Sequence, residues 1–203
     1  MLFSNTYFTI NKSAEAIYKD KGSKFLAFAF PVENEQQIKS YLQQLKKEHH
    51  SANHHCYAYR LGADKLNYRA NDDGEPSNTA GKPILGQIQS NDLTNLLIVV
   101  VRYFGGTLLG VGGLINAYKN AAAEVLKVSE IVEKHILFHY TIQFNFEQMN
   151  DVMRILKQYD AKITQQNFDN ACAITFSLRK LNSDACEEKL KLISDLKIAY
   201  SSN

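Results

Sequence analysis

The sequence has little of what stabilises small secreted domains or anchors membrane proteins. It contains three cysteines, Cys56, Cys172 and Cys186, an odd number without Cys-x-x-Cys spacing. This excludes a disulfide framework and a cysteine zinc cluster, so we expect three reduced thiols. No apolar run approaches the roughly 20 residues that span a bilayer, and the first residues lack the basic flank and apolar core of a signal peptide. We therefore expect a cytoplasmic protein with no membrane partner.

A large excess of charge of either sign is also missing. The chain has 23 basic and 21 acidic residues, which give a formal net charge of +2. A protein held to nucleic acid by bulk electrostatics has a much larger basic excess, so any nucleic-acid site must be a local patch. With 203 residues and 45% hydrophobic content, the chain is long enough for one large domain or two small ones.

The most distinctive stretch begins with six unbroken apolar residues at 96–101 and ends in a glycine-rich segment. Arg102, Tyr103 and Phe104 follow the apolar run. Five of the chain's ten glycines then fall within nine positions: Gly105, Gly106, Gly110, Gly112 and Gly113. The pattern predicts a buried strand, a tightly shaped loop and a helix over 114–128.

Two interpretations of this glycine loop stay open. A helix that begins after it would direct several unpaired backbone N–H groups at one place, where a phosphate or carboxylate could bind. Alternatively, the glycines only let the helix pack closely on the sheet. The sequence contains neither the GxGxxG of dinucleotide sites nor the GK[ST] of a P-loop, so binding of a nucleotide triphosphate is not indicated.

Apolar spacing predicts the other elements of the first part. Strands are expected at 7–10 and 25–30, on either side of a polar section with a basic turn. A helix over 33–48 would have Asn34 as its N-cap. A strand follows, a hairpin pairs 57–61 with 65–70, a long connection covers 71–83, and a short helix occupies 84–89.

Two of these segments contain candidate basic and imidazole groups. Lys21 and Lys24 of the basic turn are either phosphate contacts or ordinary surface lysines. His54 lies in a run of four histidines and one cysteine within eight residues, which raises the question of a zinc site. Neighbouring residues of a strand point to opposite faces, so the spacing suits a metal poorly and we expect none. His54 as a polar site residue and His54 as a surface histidine remain open.

The long connection contains acids and hydroxyls. Asp72, Asp73 and Glu75 could hold a magnesium or calcium ion, but we favour a role in accepting hydrogen bonds inside the loop or in orienting Arg69 or Arg102. Candidates for phosphate contact here are Ser77, Thr79 and Lys82. No Ser/His/Asp spacing identifies a nucleophile, so catalytic residues stay unknown, and we expect no cofactor.

A second unit begins near residue 134. Alternating apolar residues predict a strand over 136–146, and later patterns predict a helix at 149–156, a hairpin of 161–168 and 171–178 around residues 169–170, a helix over 183–195 and a strand at 197–200. This βαββαβ order is ferredoxin-like. The open face of its sheet would show His139, Thr141, Gln143, Thr175, Ser177 and Arg179. It lacks an aromatic stacking pair, which argues against a single-stranded RNA platform.

Four motifs in order resemble the YigZ/Impact family. They are Lys21-Gly22-Ser23-Lys24-Phe25, His54-His55-Cys56-Tyr57-Ala58, the connection from Asp72 to Leu85, and the stretch from Val99 to Gly113. The resemblance covers essentially the whole chain. One departure is Asn78, at a position where the family usually has glycine; asparagine tolerates left-handed backbone better than most residues.

The resemblance implies an α/β (α+β) fold of two domains. Residues 1–133 would be similar to domain four of elongation factor G, and residues 134–203 would form the ferredoxin-like domain of bacterial members. Eukaryotic Impact proteins regulate translation through a stress-kinase pathway, using an additional N-terminal domain. The resemblance does not extend that kinase role to this chain.

Three functions follow as hypotheses. The first is a nucleic-acid-binding or ribosome-associated protein that regulates translation, with RNA, DNA or the ribosome as partner. Arg102 and the lysines would contact phosphate, and Tyr103 or Phe104 would stack on a base. The second is an enzyme acting on a phosphorylated or carboxylated small molecule, and the third is a module that binds a protein partner. In the first two, the glycine loop, the His54 strand and the 72–83 connection form one composite site.

Overall fold

The computed structural model describes residues 4–168 and 172–201. The chain divides into two compact units, the first of residues 7–134 and the second of residues 135–201 together with residues 4–6. Within the described residues, no helix is both long enough and apolar enough to cross a bilayer.

The first unit is built on a five-stranded antiparallel sheet. The elements between residues 6 and 135 are β1 (Thr6–Ile10), β2 (Ala14–Asp20), β3 (Ser23–Pro31), α1 (Glu35–Glu48), β4 (His54–Leu61), β5 (Asn67–Asn71), α2 (Gly81–Ser90), β6 (Leu96–Tyr103), α3 (Gly110–Val128) and β7 (Ile131–His135). The strand order of the sheet is β2-β3-β6-β4-β5, and β1 pairs with β7 separately.

Helices cover both faces of this sheet, so its central strand is buried on both sides. In β6, Leu96, Ile98 and Val100 pack in a core with residues of α2 and α3. The alternate residues Leu97 and Val99 pack in a second core with residues of α1. A strand buried on both faces has an unbroken apolar sequence, and the predicted buried strand is confirmed.

The first helix begins where its sequence predicts. The Asn34 side chain accepts a hydrogen bond from the Gln37 backbone N–H at 3.0 Å, which satisfies one of the unpaired donors of the helix start. Ile38 and Leu45 are buried on the sheet side, and Lys46 lies in the last turn, where the helix dipole favours a cation. The predicted helix and its cap are confirmed.

Three predictions for the first unit need correction. The polar section after β1 is itself a strand, β2, whose Ala14, Ala16 and Tyr18 pack against the core beneath α3. The basic turn therefore joins β2 to β3, and β1 pairs elsewhere. The β4–β5 connection is longer than predicted, because Leu61 pairs with Asn67 and Lys65 has a left-handed φ of 63°.

The helices α2 and α3 both begin earlier than predicted. The short helix α2 starts at Gly81 rather than at residue 84, and α3 starts at Gly110 rather than at residue 114. The sequence predicts a loop at the glycines of α3 because glycine has a low helix propensity. Burial of Leu109 and Leu114 fixes this first turn in spite of that propensity. The glycines therefore divide between a short loop and a helix start.

The second unit has the predicted ferredoxin-like βαββαβ order, and the mixed α/β class is confirmed. Its elements are β8 (Leu137–Phe144), a 3₁₀ turn (Phe146–Gln148), α4 (Met149–Gln158), β9 (Lys162–Asn167), β10 (Cys172–Arg179), α5 (Lys180–Lys191) and β11 (Lys197–Ser201). The sheet order is β11-β8-β10-β9. One face of the sheet packs on the two helices through residues such as Ile142, Phe176, Leu156 and Leu190.

Element ends in the second unit differ from the predictions. Phe146 is 73% exposed because β8 ends at Phe144 and the chain enters the 3₁₀ turn. Helix α5 runs from Lys180 to Lys191 rather than over 183–195, and Asp195 has a φ of 60° that no α-helix accepts. The predicted turn at 169–170 lies outside the described residues.

Candidate functional site

All four motifs meet at one end of the five-stranded sheet. Because β3, β6 and β4 are adjacent and antiparallel, Phe25, Arg102 and His54 lie side by side in one row across the sheet. The 72–80 connection reaches the same row through Glu75, whose Oε1 is 2.7 Å from Arg102 Nη1 and 3.9 Å from His54 Nε2.

Glu75 and Arg102 form a buried ion pair between the sheet and α3. Their side chains are only 3% and 7% exposed, and Glu75 Oε1 also accepts a hydrogen bond of 2.7 Å from Tyr118 Oη. Arg102 Cζ lies 5.7 Å from the ring centroids of both Phe25 and Phe104. Among the described residues, Arg102 Nε has no hydrogen-bond partner. The arginine is thus enclosed by a carboxylate and two rings.

Cys56 and Tyr118 extend this network, and neither was nominated from sequence. The Cys56 Sγ is 3.0 Å from the Asp72 carbonyl oxygen and 3.3 Å from Tyr118 Oη. Burial raises the pKa of the Cys56 thiol and, likewise, the pKa of the Tyr118 hydroxyl. Both groups therefore stay protonated near neutral pH and act as donors, and Cys56 is not a thiolate nucleophile. The one sequence feature that points to this network is Tyr118, a large polar ring in a stretch of α3 that otherwise consists mostly of small residues.

The Asp72 side chain bonds to backbone groups at the other end of the same connection. Its Oδ1 accepts hydrogen bonds from the backbone N–H groups of Ala80 and Gly81 at 3.0 and 2.8 Å, and its Oδ2 accepts one from Asn78 at 2.9 Å. The start of α2 is therefore already occupied by a carboxylate of the chain itself. Asn78 has a left-handed φ of 63°, a conformation that asparagine tolerates, so the turn forms without glycine.

Asp73 fixes the start of β4. Its Oδ2 accepts a hydrogen bond from the His55 backbone N–H at 2.7 Å, and its carbonyl oxygen lies 2.8 Å from His54 Nδ1. A carbonyl can only accept, so His54 Nδ1 carries a proton and Nε2 is the free nitrogen of the neutral ring. On the other face of the strand, burial lowers the pKa of His55, opposed by the nearby charge of Asp73.

The start of α3 differs from that of α2 because it is open. Its first turn contains no acid, and among the residues that the structure describes no side chain caps it and none lies within 4 Å of a Cβ added to the exposed Gly110 or Gly112. Its first backbone N–H groups therefore face solvent. Three exposed apolar side chains flank it, Phe104, Leu108 and Val111.

The basic-turn motif joins the site through Gly105. A Cβ added to Gly105 would lie 1.9 Å from the carbonyl carbon of Gly22, so the two backbones touch. The Gly105 N–H also donates to Ser23 Oγ at 3.2 Å. Lys21, exposed and with a left-handed φ of 43°, is thereby held beside the glycine loop.

Other predicted site residues lie elsewhere. Lys24 and Tyr103 are paired across β3 and β6 on the α1 side of the sheet, where Tyr103 Oη lies 3.0 Å from His49 Nδ1. Thr79 is buried, and its Oγ1 donates to the Pro76 carbonyl oxygen at 2.6 Å. Ser77 and Lys82 are exposed, Lys82 in the first turn of α2. Gly106 is exposed and Gly113 is half-buried, under Leu109.

The acidic side chains of the connection bond to groups of the protein itself. In the part of the chain that the structure describes, no three His, Cys, Asp or Glu side chains are grouped as metal ligands. The three acids of the connection are instead bonded to protein groups: Asp72 and Asp73 to backbone N–H groups and Glu75 to Arg102.

Known proteins are similar to this chain in sequence and in fold. The Impact N-terminal domain matches residues 21–126, which include all four motifs. An IMPACT family member from Haemophilus influenzae is 33% identical, over 90% of this chain and 90% of its own. The Escherichia coli IMPACT family member YigZ is 35% identical, over 73% of this chain and 74% of its own. The crystal structure of a hypothetical protein, 28% identical, covers 99% of this chain and all of its own with a TM-score of 0.78.

Proposed function

We propose that this chain, which belongs to the Impact family, binds nucleic acid or the ribosome and regulates translation. Family membership supports the regulatory part, because eukaryotic Impact proteins act on translation. The binding part is supported by the end of the first unit where the motifs meet.

The open start of α3 is the observation that carries the proposal. Among the described residues no side chain caps this 19-residue helix, and the N–H groups of an uncapped helix start present partial positive charge to an anion. The neighbouring helix α2 offers no such site because Asp72 already caps it. Lys21, held beside Gly105, adds a full positive charge near the same loop. Phosphate groups of a nucleic acid have the complementary charge.

Phe104 supplies a surface for a base. Its ring is 49% exposed, and the Arg102 guanidinium lies against it. Glu75 accepts hydrogen bonds from Arg102 and Tyr118 and so fixes the guanidinium. The Phe104 ring therefore has an immobilised cation near one of its faces. In this account Arg102 positions Phe104 rather than touching phosphate, because Arg102 is only 6% exposed. Any of the bases can stack on an aromatic ring, so this contact would not depend on the nucleotide sequence.

The test is binding of single-stranded RNA by the Gly112→Asp variant, measured by fluorescence anisotropy over a range of salt concentrations. A carboxylate in the first turn stabilises the helix by about 0.3–1 kcal/mol while it repels phosphate, so the fold persists and RNA affinity falls at least roughly tenfold. The matched control is Gly86→Asp within α2, where added atoms also meet free space. Equal affinities for the two variants would refute the proposal, as would wild-type binding that does not weaken with salt.

His54 favours a second candidate, an enzyme acting on a phosphorylated or carboxylated small molecule. Its ring is oriented by the Asp73 carbonyl oxygen, and its side chain is 23% exposed, so Nε2 could accept a proton from a bound substrate. A thermal-shift screen of such compounds, repeated with His54→Gln, tests this. A compound that stabilises both proteins and is turned over only by the wild type would support it, and no stabilised compound would exclude it.

A further inference from the structure

In the second unit, the described acidic residues lie on the helices and turns and not on the strands of the four-stranded sheet, a distribution that the fold does not require. None of the strands β8, β9, β10 and β11 contains an aspartate or glutamate. The described acids of this unit lie in the 3₁₀ turn, in α4 and α5, or in the turns that follow these helices: Glu147, Asp151, Asp160, Asp184, Glu187, Glu188 and Asp195. The sheet side is therefore free of negative charge among the described residues.

Strand alternation assigns the residues of the open face. Tyr140, Ile142, Ile174 and Phe176 belong to the core beneath the helices, so their neighbours along each strand point away from it. Those neighbours are His139, Thr141, Gln143, Lys162, Gln165, Asn167, Thr175, Arg179 and Lys197, with Leu137, Ala173 and Ala199 between them. Ser177 belongs to the same side but is only 5% exposed. The face is thus made almost wholly of hydroxyl, amide and basic groups.

These groups are arranged by type across the sheet. Thr141 and Thr175 are Cα partners at the centre, with their hydroxyl oxygens 3.0 Å apart. Lys197 lies on one edge strand and Lys162 on the other, both exposed. With about 4.8 Å between neighbouring strands, the two edges are roughly 14 Å apart. Lys197 aligns with Gln143 and Lys162 with His139, four residues along β8, so the two lysines lie on a diagonal roughly 20 Å apart. A polar centre is therefore bordered by cations on both sides.

We infer that this open face binds the minor groove of double-stranded RNA. The hydroxyl and amide groups of the centre suit the 2′-hydroxyls that the wide, shallow groove displays, and the lysines at the two edges suit the phosphates of its two strands. Within the described residues no phenylalanine, tyrosine or tryptophan lies on this face, and His139 is its one aromatic ring, so it lacks the stacking pair of a single-stranded RNA platform. The inference concerns a different surface from the start of α3, so either can fail without the other.

The test compares two double variants of the full chain that have the same change in net charge. Lys162→Gln with Lys197→Gln removes the two edge cations of the face. Lys157→Gln with Lys189→Gln removes two exposed lysines of α4 and α5. Each protein is titrated with a fluorescein-labelled RNA duplex of about 16 base pairs, the span of one double-stranded RNA module, at several salt concentrations.

The face variant should bind the duplex at least tenfold more weakly, with a slope of log affinity against log salt that is smaller by roughly two. The helix variant should match the wild type. Similar behaviour of the two variants, or no duplex binding by the wild type, would overturn the inference. A measurement that needs no variant is the same duplex made of DNA: wild-type affinity for it should be at least tenfold lower, and equal affinity would contradict recognition of the 2′-hydroxyl. The face variant should bind single-stranded RNA as the wild type does, which separates this face from the start of α3.

Discussion

At the scale of single residues, Glu75 joins the parts of the site. It accepts hydrogen bonds from Arg102 and Tyr118 and lies near His54, so one carboxylate connects a loop, the sheet and a helix. A buried ion pair contributes little net stability, because desolvation of two charges offsets their attraction. Its value here is geometric: it fixes the guanidinium against the Phe104 ring.

Removing one partner of that pair should be costly. Glu75→Gln leaves the buried Arg102 charge uncompensated and should lower the free energy of unfolding by about 3 kcal/mol or more. Tyr118→Phe deletes only one hydrogen-bond donor and should cost about 1 kcal/mol. Urea unfolding followed by circular dichroism measures both. A Glu75→Gln protein as stable as Tyr118→Phe would mean that Arg102 is solvated in solution.

A second prediction at this scale concerns pH. Burial lowers the pKa of His55 below its ordinary value of 6.5. Below pH 6.5 the unfolded chain therefore binds a proton that the folded protein does not, and stability falls as the pH drops towards the lowered value. His55→Gln removes this term, so its melting temperature should fall less than that of the wild type between pH 7.5 and 5.5. Parallel melting curves for the two proteins would contradict the burial of His55.

At the scale of elements, the glycines of one loop have two separate functions. Gly105 allows the β2–β3 turn to touch the loop, because a Cβ there would collide with Gly22. Gly112 lies in the open first turn of α3, where nothing lies within 4 Å of an added Cβ. The first glycine is required by packing, whereas the second leaves the helix start accessible.

The two glycines should therefore respond oppositely to alanine. Gly105→Ala should destabilise the protein by about 3 kcal/mol, because the backbone of the neighbouring turn must move. Gly112→Ala should raise stability by up to about 1 kcal/mol through helix propensity. Thermal unfolding of both variants distinguishes these outcomes. Destabilisation by Gly112→Ala would show that the start of α3 is covered in solution.

How far the sequence predicts each element depends on how local its cause is. The strand β6 and helix α1 are predictable because burial on one or both faces dictates their apolar pattern. Strand β2 is not predictable in this way, because its buried side consists of two alanines and one tyrosine, too weak a pattern beside its polar neighbours. The contact of Gly22 with Gly105 and the Cys56–Tyr118 network join residues distant in sequence, so no local pattern records them.

At the scale of the whole molecule, two compact units place cationic or anion-attracting groups on different kinds of surface. The first has an uncapped helix start beside Lys21, and the second has a polar sheet with lysines at both edges. A net charge of only +2 means that such binding depends on local arrangement rather than on overall charge. The proposed role in translation requires that the first surface engages the ribosome.

Sedimentation with purified ribosomes tests that claim most directly. At low salt the wild-type protein and Gly86→Asp should pellet with ribosomes, Gly112→Asp should stay in the supernatant, and rising salt should release the bound proteins. If Gly112→Asp pellets as the wild type does while remaining folded, the open start of α3 is not the ribosome-binding site and the account of the first unit is wrong.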